Sequence, residues 1–214
     1  MRLRITFSKT GALRYIGHLD LHTIWERAAR RAGLPLSYSN GFHPQPKISL
    51  AAALPLGFSS RGEVLDLRLN EELELAQIPG RLQAAMPEGI GILNVERVDD
   101  SLPALQTQVL SAEYEVRLTE AAEPSGLKRR ADEVLASPAL PRERRGKSYD
   151  LRPLIEVLGV ESTGGPSGVM IRMRLACREG ATGRPEEVLE VLGVSPEMAQ
   201  VERTRLIFRE YPVQ

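Results

Sequence analysis

The chain has 214 residues, 28 basic and 28 acidic side chains and 42% apolar residues, which fits one large or two small globular domains and excludes a disordered or fibrous protein. Its single cysteine, Cys177, excludes an internal disulfide and an iron–sulfur cluster or multi-cysteine zinc site held by this chain alone, and suits a reducing, cytoplasmic setting. No apolar run reaches the roughly 18–20 residues of a membrane span, Met1 to Phe7 is a basic alternating stretch rather than a signal peptide, and the first fifty residues set eight Arg or Lys against only Asp20 and Glu26, so the zero net charge hides a basic end.

Leu3, Ile5 and Phe7 alternate with Arg4, Thr6 and Ser8, the period of a strand with one wet face. Leu21, Ile24, Trp25, Ala28 and Ala32 then mark one side of a helix over Leu19 to Ala32, with Arg27, Arg30 and Arg31 largely opposite and Gly33 as its stop. Ser37 to Pro46 is loop chemistry. Lys47 to Leu56 and Val64 to Leu69 read as two strands, Glu71 to Met86 as a helix interrupted at Pro79 and Gly80, and Ile90 to Val98 as a closing strand.

After a linker around Pro103 the order recurs. Ala112 to Leu118 alternates, a helix follows near Ser125 to Ala136, and Leu140 to Arg145 and Tyr149 to Gly159 are candidate strands joined by Gly146. The glycine-rich stretch Ser162 to Gly168 reads as a flexible turn, because it lacks the Gly-Lys-Ser/Thr of a phosphate loop. Val169 to Cys177 alternates, with Cys177 expected as buried packing; Pro185 to Leu192 is a short helix and Val201 to Phe208 the last strand. The expected architecture is α+β, two tandem ferredoxin-like (βαββαβ) units with antiparallel sheets, residues 1–104 and 105–214, the second with an extra basic hairpin.

All three histidines fall in the first fifty residues. His18 and His22 are four apart, so they can share a helix face and grip a metal with Asp20 or His43. The competing expectation is that His18 or Asp20 caps the helix and His22 borders its buried stripe. Asp20-Leu21-His22 opens like the cobalamin lower-ligand motif Asp-x-His-x-x-Gly, but Trp25 stands at the glycine position, and no cofactor is expected.

Tyr38-Ser39-Asn40-Gly41-Phe42-His43-Pro44-Gln45-Pro46-Lys47 is the most unusual segment. Its aromatic rings suit stacking on bases, its cations suit phosphates, and Asn40 or His43 can read a base edge or a 2′-hydroxyl. Two competing readings are a structural loop that packs Phe42, and an RNA-processing enzyme using His43 as general acid–base with Lys47 and Tyr38. Arg142, Arg144, Arg145 and Lys147, following Lys128, Arg129 and Arg130, either extend the RNA path or form a solvated hairpin. The expected RNA-contact set is Arg14, Arg27, Arg30, Arg31, Tyr38, Asn40, Phe42, His43, Lys47, Arg142, Arg144, Arg145 and Lys147.

Five segments together resemble a known family: Lys9-Thr10-Gly11, Arg14-Tyr15-Ile16-Gly17-His18-Leu19-Asp20-Leu21, Arg27 to Pro35, Gly41 to Lys47 and Leu54-Pro55-Leu56-Gly57. They resemble the radical SAM-associated family DUF2344, whose domain occurs alone or fused behind cobalamin-binding radical SAM enzymes. The resemblance implies a radical SAM enzyme as partner and a setting in tRNA or rRNA metabolism. The double ferredoxin-like layout also looks like that of pseudouridine synthases and of CRISPR RAMP endoribonucleases. A pseudouridine synthase needs an aspartate nucleophile in the loop after its first helix, however, and Asn40, the nearest candidate, cannot serve. The expectation is therefore an RNA-binding accessory module without chemistry of its own, with a protein-only scaffold as the remaining alternative.

Overall fold

Leu3, Ile5 and Phe7 are wholly buried along the first strand, β1 (Arg2–Lys9), because every second side chain points into the core. The computed structural model describes residues 1–120, 122–164 and 168–211. It divides into two units, Met1–Val109 and a second from Leu110 onward, in a mixed α/β chain whose strands pair antiparallel within each unit.

In the first unit β1 lies between β3 (Ser59–Arg68) and β4 (Ile90–Val98), and the short β2 (Ile48–Leu50) pairs with β3 on its other side. The order β2-β3-β1-β4 is antiparallel throughout. Helix α1 (His18–Arg31) buries Leu21, Trp25, Ala28 and Ala29, and Trp25 meets Phe7 edge-on at 4.8 Å between ring centroids. Gly33, at φ +65°, ends the helix: its N–H donates to the Arg30 carbonyl and the Leu34 N–H to that of Ala29, both at 3.0 Å.

Two expectations fail here for local reasons. The helix expected from Glu71 is only α2 (Ile78–Ala85), preceded by a 3-10 turn at Leu75–Gln77. Pro79 lies in its first turn, where a missing N–H costs nothing, so the proline begins the helix instead of interrupting it. The strand expected to Leu56 stops at Leu50, since Ala51 to Phe58 has neither alternation nor, at Pro55, a donor for the ladder. A four-residue helix, α3 (Leu105–Gln108), occupies the linker and buries Leu105.

The second unit runs β5 (Val109–Leu118), α4 (Pro124–Ala136), β6 (Pro141–Arg144), β7 (Lys147–Asp150), β8 (Ile155–Ser162), β9 (Val169–Arg178), β10 (Ala181–Thr182), α5 (Pro185–Val191) and β11 (Ala199–Phe208). β9 pairs antiparallel with β5, β8 and the two-residue β10. The order β8-β9-β5-β11 matches that of the first unit strand for strand.

The basic hairpin β6–β7 is a sheet of its own, turned by Arg145 (φ 50°) and Gly146 (φ 74°), the paired positive φ values of a two-residue hairpin. The strand expected over Tyr149 to Gly159 is two strands, parted by a 3-10 turn at Arg152–Leu154 where Pro153 cannot donate. Cys177 is half-buried rather than core, near the end of β9 opposite Thr182. Of the stretch expected as a flexible turn, Gly165, Pro166 and Ser167 lie outside the described residues. Among the described residues no helix is long and apolar enough to cross a membrane.

Candidate nucleic-acid interface

The unusual loop is a braced hairpin. Tyr38 bridges Pro46, the Ser39 N–H donates to the Gln45 carbonyl at 2.8 Å, and the Gln45 N–H returns to Ser39 Oγ at 2.9 Å. Its base is tied to the end of β3: the Ser37 N–H donates to Arg68 O at 2.8 Å and the Arg68 N–H to Lys47 O at 3.0 Å. Asn40, Gly41, Phe42, His43 and Pro44 form the tip, and all are exposed. Gly41, at φ +128°, takes a conformation that a side chain would strain.

Phe42 is the most exposed large apolar side chain among the described residues. The reading in which this loop packs Phe42 is therefore overturned, since the ring covers no core surface. An aromatic face on a hydrogen-bonded support loses little freedom when it stacks on a flat partner.

The basic residues divide by what already holds them. Arg27 is exposed on α1; Arg30 lies 3.8 Å from Glu26; Arg31 donates to the Ala85 carbonyl at 2.7 Å. The Arg14 guanidinium sits 4.8 Å from the Tyr15 ring centroid and donates to its hydroxyl oxygen at 2.8 Å. Lys47 is exposed at the hairpin base. In the second unit Arg144 is engaged by Glu187 at 2.6 Å and lies over the Tyr149 ring, while Arg142 is half-buried. Arg145 and Lys147 flank the exposed turn.

The histidines do not form one site. Arg2 faces Arg68, which anchors the hairpin, whereas Lys9 faces Ser60 at the far end of β1, about 23 Å away for seven residues of strand. His18 and His22 belong to that far end, close enough to influence one another electrostatically, and His43 to the near one. Among the described residues no group of three or more His, Cys, Asp or Glu can hold a metal, so the His18, Asp20, His22 and His43 set is not brought together. The capping expectation also fails: Gly17 is the N-cap, no side chain caps α1, and Asp20 merely occupies the first turn.

The far end hides polar residues that sequence reasoning missed. Lys9 and Glu63 are each 1% exposed and Ser60 is fully buried. The Lys9 ammonium donates to the carbonyls of Arg14 and Ile16 at 3.4 and 3.3 Å, holding the turn before α1. The available signal was parity, because position 9 continues the inward series of Leu3, Ile5 and Phe7.

Partial burial, reinforced by His22, holds the His18 imidazole below its ordinary 6.5, with Glu63 pulling the other way. The unfolded chain then binds this proton more readily than the folded one. Stability contributed at His18 is complete above about pH 6.5 and falls as pH drops through that value. His18→Gln should flatten the acid limb of the thermal midpoint between about pH 7 and 5. An acid limb identical in wild type and variant would remove His18 as its source.

A mixed α/β chain with a mostly antiparallel sheet defines only a broad structural class. The chain belongs to the family of uncharacterized proteins conserved in bacteria, DUF2344, which matches residues 2–185. No curated protein matches it. It is similar to a chain in the crystal structure of a Cbf5-Nop10-Gar1 complex, with a TM-score of 0.52, 14% identity, and coverage of 98% of this chain and 50% of that one. The archaeal box H/ACA sRNP Nop10-Cbf5 complex gives a TM-score of 0.47, 15% identity, and coverage of 98% and 49%. The chain thus spans about half the length of these neighbours, and at 14% identity the likeness to the first concerns fold alone.

Proposed function

We propose that this chain is a non-catalytic, cytoplasmic RNA-binding module that presents tRNA or rRNA to a separate radical SAM enzyme for modification or processing. The observation carrying this reading is Phe42, wholly exposed at the tip of a hairpin whose backbone is fixed by its own hydrogen bonds and by β3. Asn40 and His43 stand with it at the tip and Lys47 at the hairpin base, groups able to meet bases and phosphates, and Arg27 and Arg30 lie on the helix that precedes the hairpin. The radical SAM partner rests on the five family-like segments. The matching strand orders support two ferredoxin-like units in tandem, residues 1–104 and 105–214.

An RNA-cleaving enzyme is the weaker reading. His43 makes no hydrogen bond among the described residues, and proton transfer at each end of a reaction asks for a second positioned group. Phe42→Ala should lose about 1–3 kcal/mol of affinity for single-stranded RNA while the protein stays folded. Fluorescence anisotropy at several salt concentrations checks this, and wild-type affinity in the variant would remove the stacking role. Metal-independent RNA cleavage by the isolated protein, lost in His43→Gln, would make the chain an enzyme.

A further inference from the structure

Beside the hairpin, within the first unit, lies a groove of about 470 Å³ whose lining includes Gln45, Lys47, Ser49, Asp66, Arg68 and Leu105. The volume falls within the range of small-ligand sites, roughly 300–1,000 Å³. We propose that this groove binds a single splayed-out nucleotide of the RNA strand that stacks on Phe42. The inference rests on the RNA-binding reading and adds to it a defined pocket and a ligand unit.

The charges of the groove are unequally committed. Asp66 is saturated, accepting from Arg2 Nε and Nη2 at 2.9 and 2.6 Å and from Arg4 Nε and Nη2 at 2.9 and 3.1 Å. Arg68 is paired with Asp100. The Lys47 ammonium, the Gln45 side-chain amide and the Ser49 hydroxyl make no hydrogen bond among the described residues. An ammonium, an amide and a hydroxyl match a phosphate, a base edge and a ribose hydroxyl. Leu102, half-buried in the segment before α3, adds apolar surface.

The backbone makes the pocket stiff. Lys47 donates through its N–H to Ser37 O at 2.8 Å and accepts at its carbonyl from Arg68, so only the long side chain moves to meet a ligand. Ser49 faces Asp66 in the ladder between β2 and β3. The hairpin that forms one wall also carries Phe42, four residues before Pro46 and so at most about 13 Å from it along the chain. At about 3.4 Å per stacked nucleotide, one strand of four or so nucleotides reaches from the exposed ring into the groove.

The test combines 5′-mononucleotides and single-stranded RNA oligomers with two variants. Lys47→Ala removes the uncommitted cation. Ala104→Trp adds bulk at an exposed position on the groove rim, where it disturbs no core packing. Titration with mononucleotides should shift the amide resonances of Lys47 and Ser49 in wild type. Each variant should bind RNA oligomers about tenfold more weakly, or worse, while keeping the wild-type unfolding transition. Unchanged RNA affinity in both variants would overturn the groove and leave the RNA-binding reading intact. No binding of RNA by the wild type would remove both. Shifts in the groove on adding a protein partner, but not on adding RNA or mononucleotides, would assign it to protein docking and overturn the proposal.

Discussion

Replacing Trp25 with alanine should lower the stability of the first unit by about 3–5 kcal/mol, seen as a lower urea midpoint at unchanged slope. Trp25 is wholly buried and holds α1 against β1 through its contact with Phe7. The neighbours it touches belong to elements fixed from both sides, β1 by β3 and β4, so the cavity cannot close by collapse. Its indole Nε1 is buried without a hydrogen-bond partner among the described residues. Trp25→Phe removes that unsatisfied donor together with part of the ring, so relief of one cost offsets some of the other. The phenylalanine variant should therefore lose less than half of what alanine loses. A loss under about 1 kcal/mol for Trp25→Ala would mean that the helix is not seated by this side chain.

The parts of the fold that were legible in the sequence are those with a strong period. Leu3, Ile5 and Phe7 mark β1, Leu21, Trp25 and Ala28 mark α1, and Val169 to Leu175 mark β9, because one wet and one dry face leave a direct trace in residue order. Where burial is brief the trace vanishes: β2 keeps three residues and β10 two. Reading Pro79 by its cost in a helix interior misplaces the start of α2, because it stands in the first turn, as Pro124 does in α4.

The candidate interface divides in the same way. The tip of the hairpin was legible, since Gly41, Pro44 and Phe42 are a local matter. The commitments of the cations were not. Arg144 is held by Glu187, 43 residues on, and Arg31 by the carbonyl of Ala85, 54 residues on. Such pairings depend on which surfaces the fold brings together, as does the groove, which draws on β2, β3 and the segment before α3.

Asp66→Asn should cost about 3–5 kcal/mol, comparable to Trp25→Ala but by another route. The carboxylate is buried and accepts four hydrogen bonds from Arg2 and Arg4. An amide keeps the shape but removes the charge and turns one acceptor into a donor, which then faces guanidinium N–H groups. Arg2, 4% exposed, would remain a buried cation without a counter-charge, held by the backbone carbonyls of Leu102 at 2.7 Å and Pro103 at 2.9 Å and competing with Arg4 for the one remaining amide oxygen. Leaving one buried charge uncompensated is far costlier than losing an exposed pair such as Arg97–Glu72. Arg97→Ala should accordingly change stability by under about 1 kcal/mol. A double-mutant cycle pairing Asp66→Asn with Arg4→Met measures the coupling directly and should give an interaction of 1 kcal/mol or more, on the order expected for residues in one network. Because Arg2 also secures the Leu102–Pro103 segment and Asp66 lines the groove, the same substitution should loosen that wall and weaken RNA binding. Wild-type stability in Asp66→Asn would show that the two arginines find sufficient partners without the carboxylate.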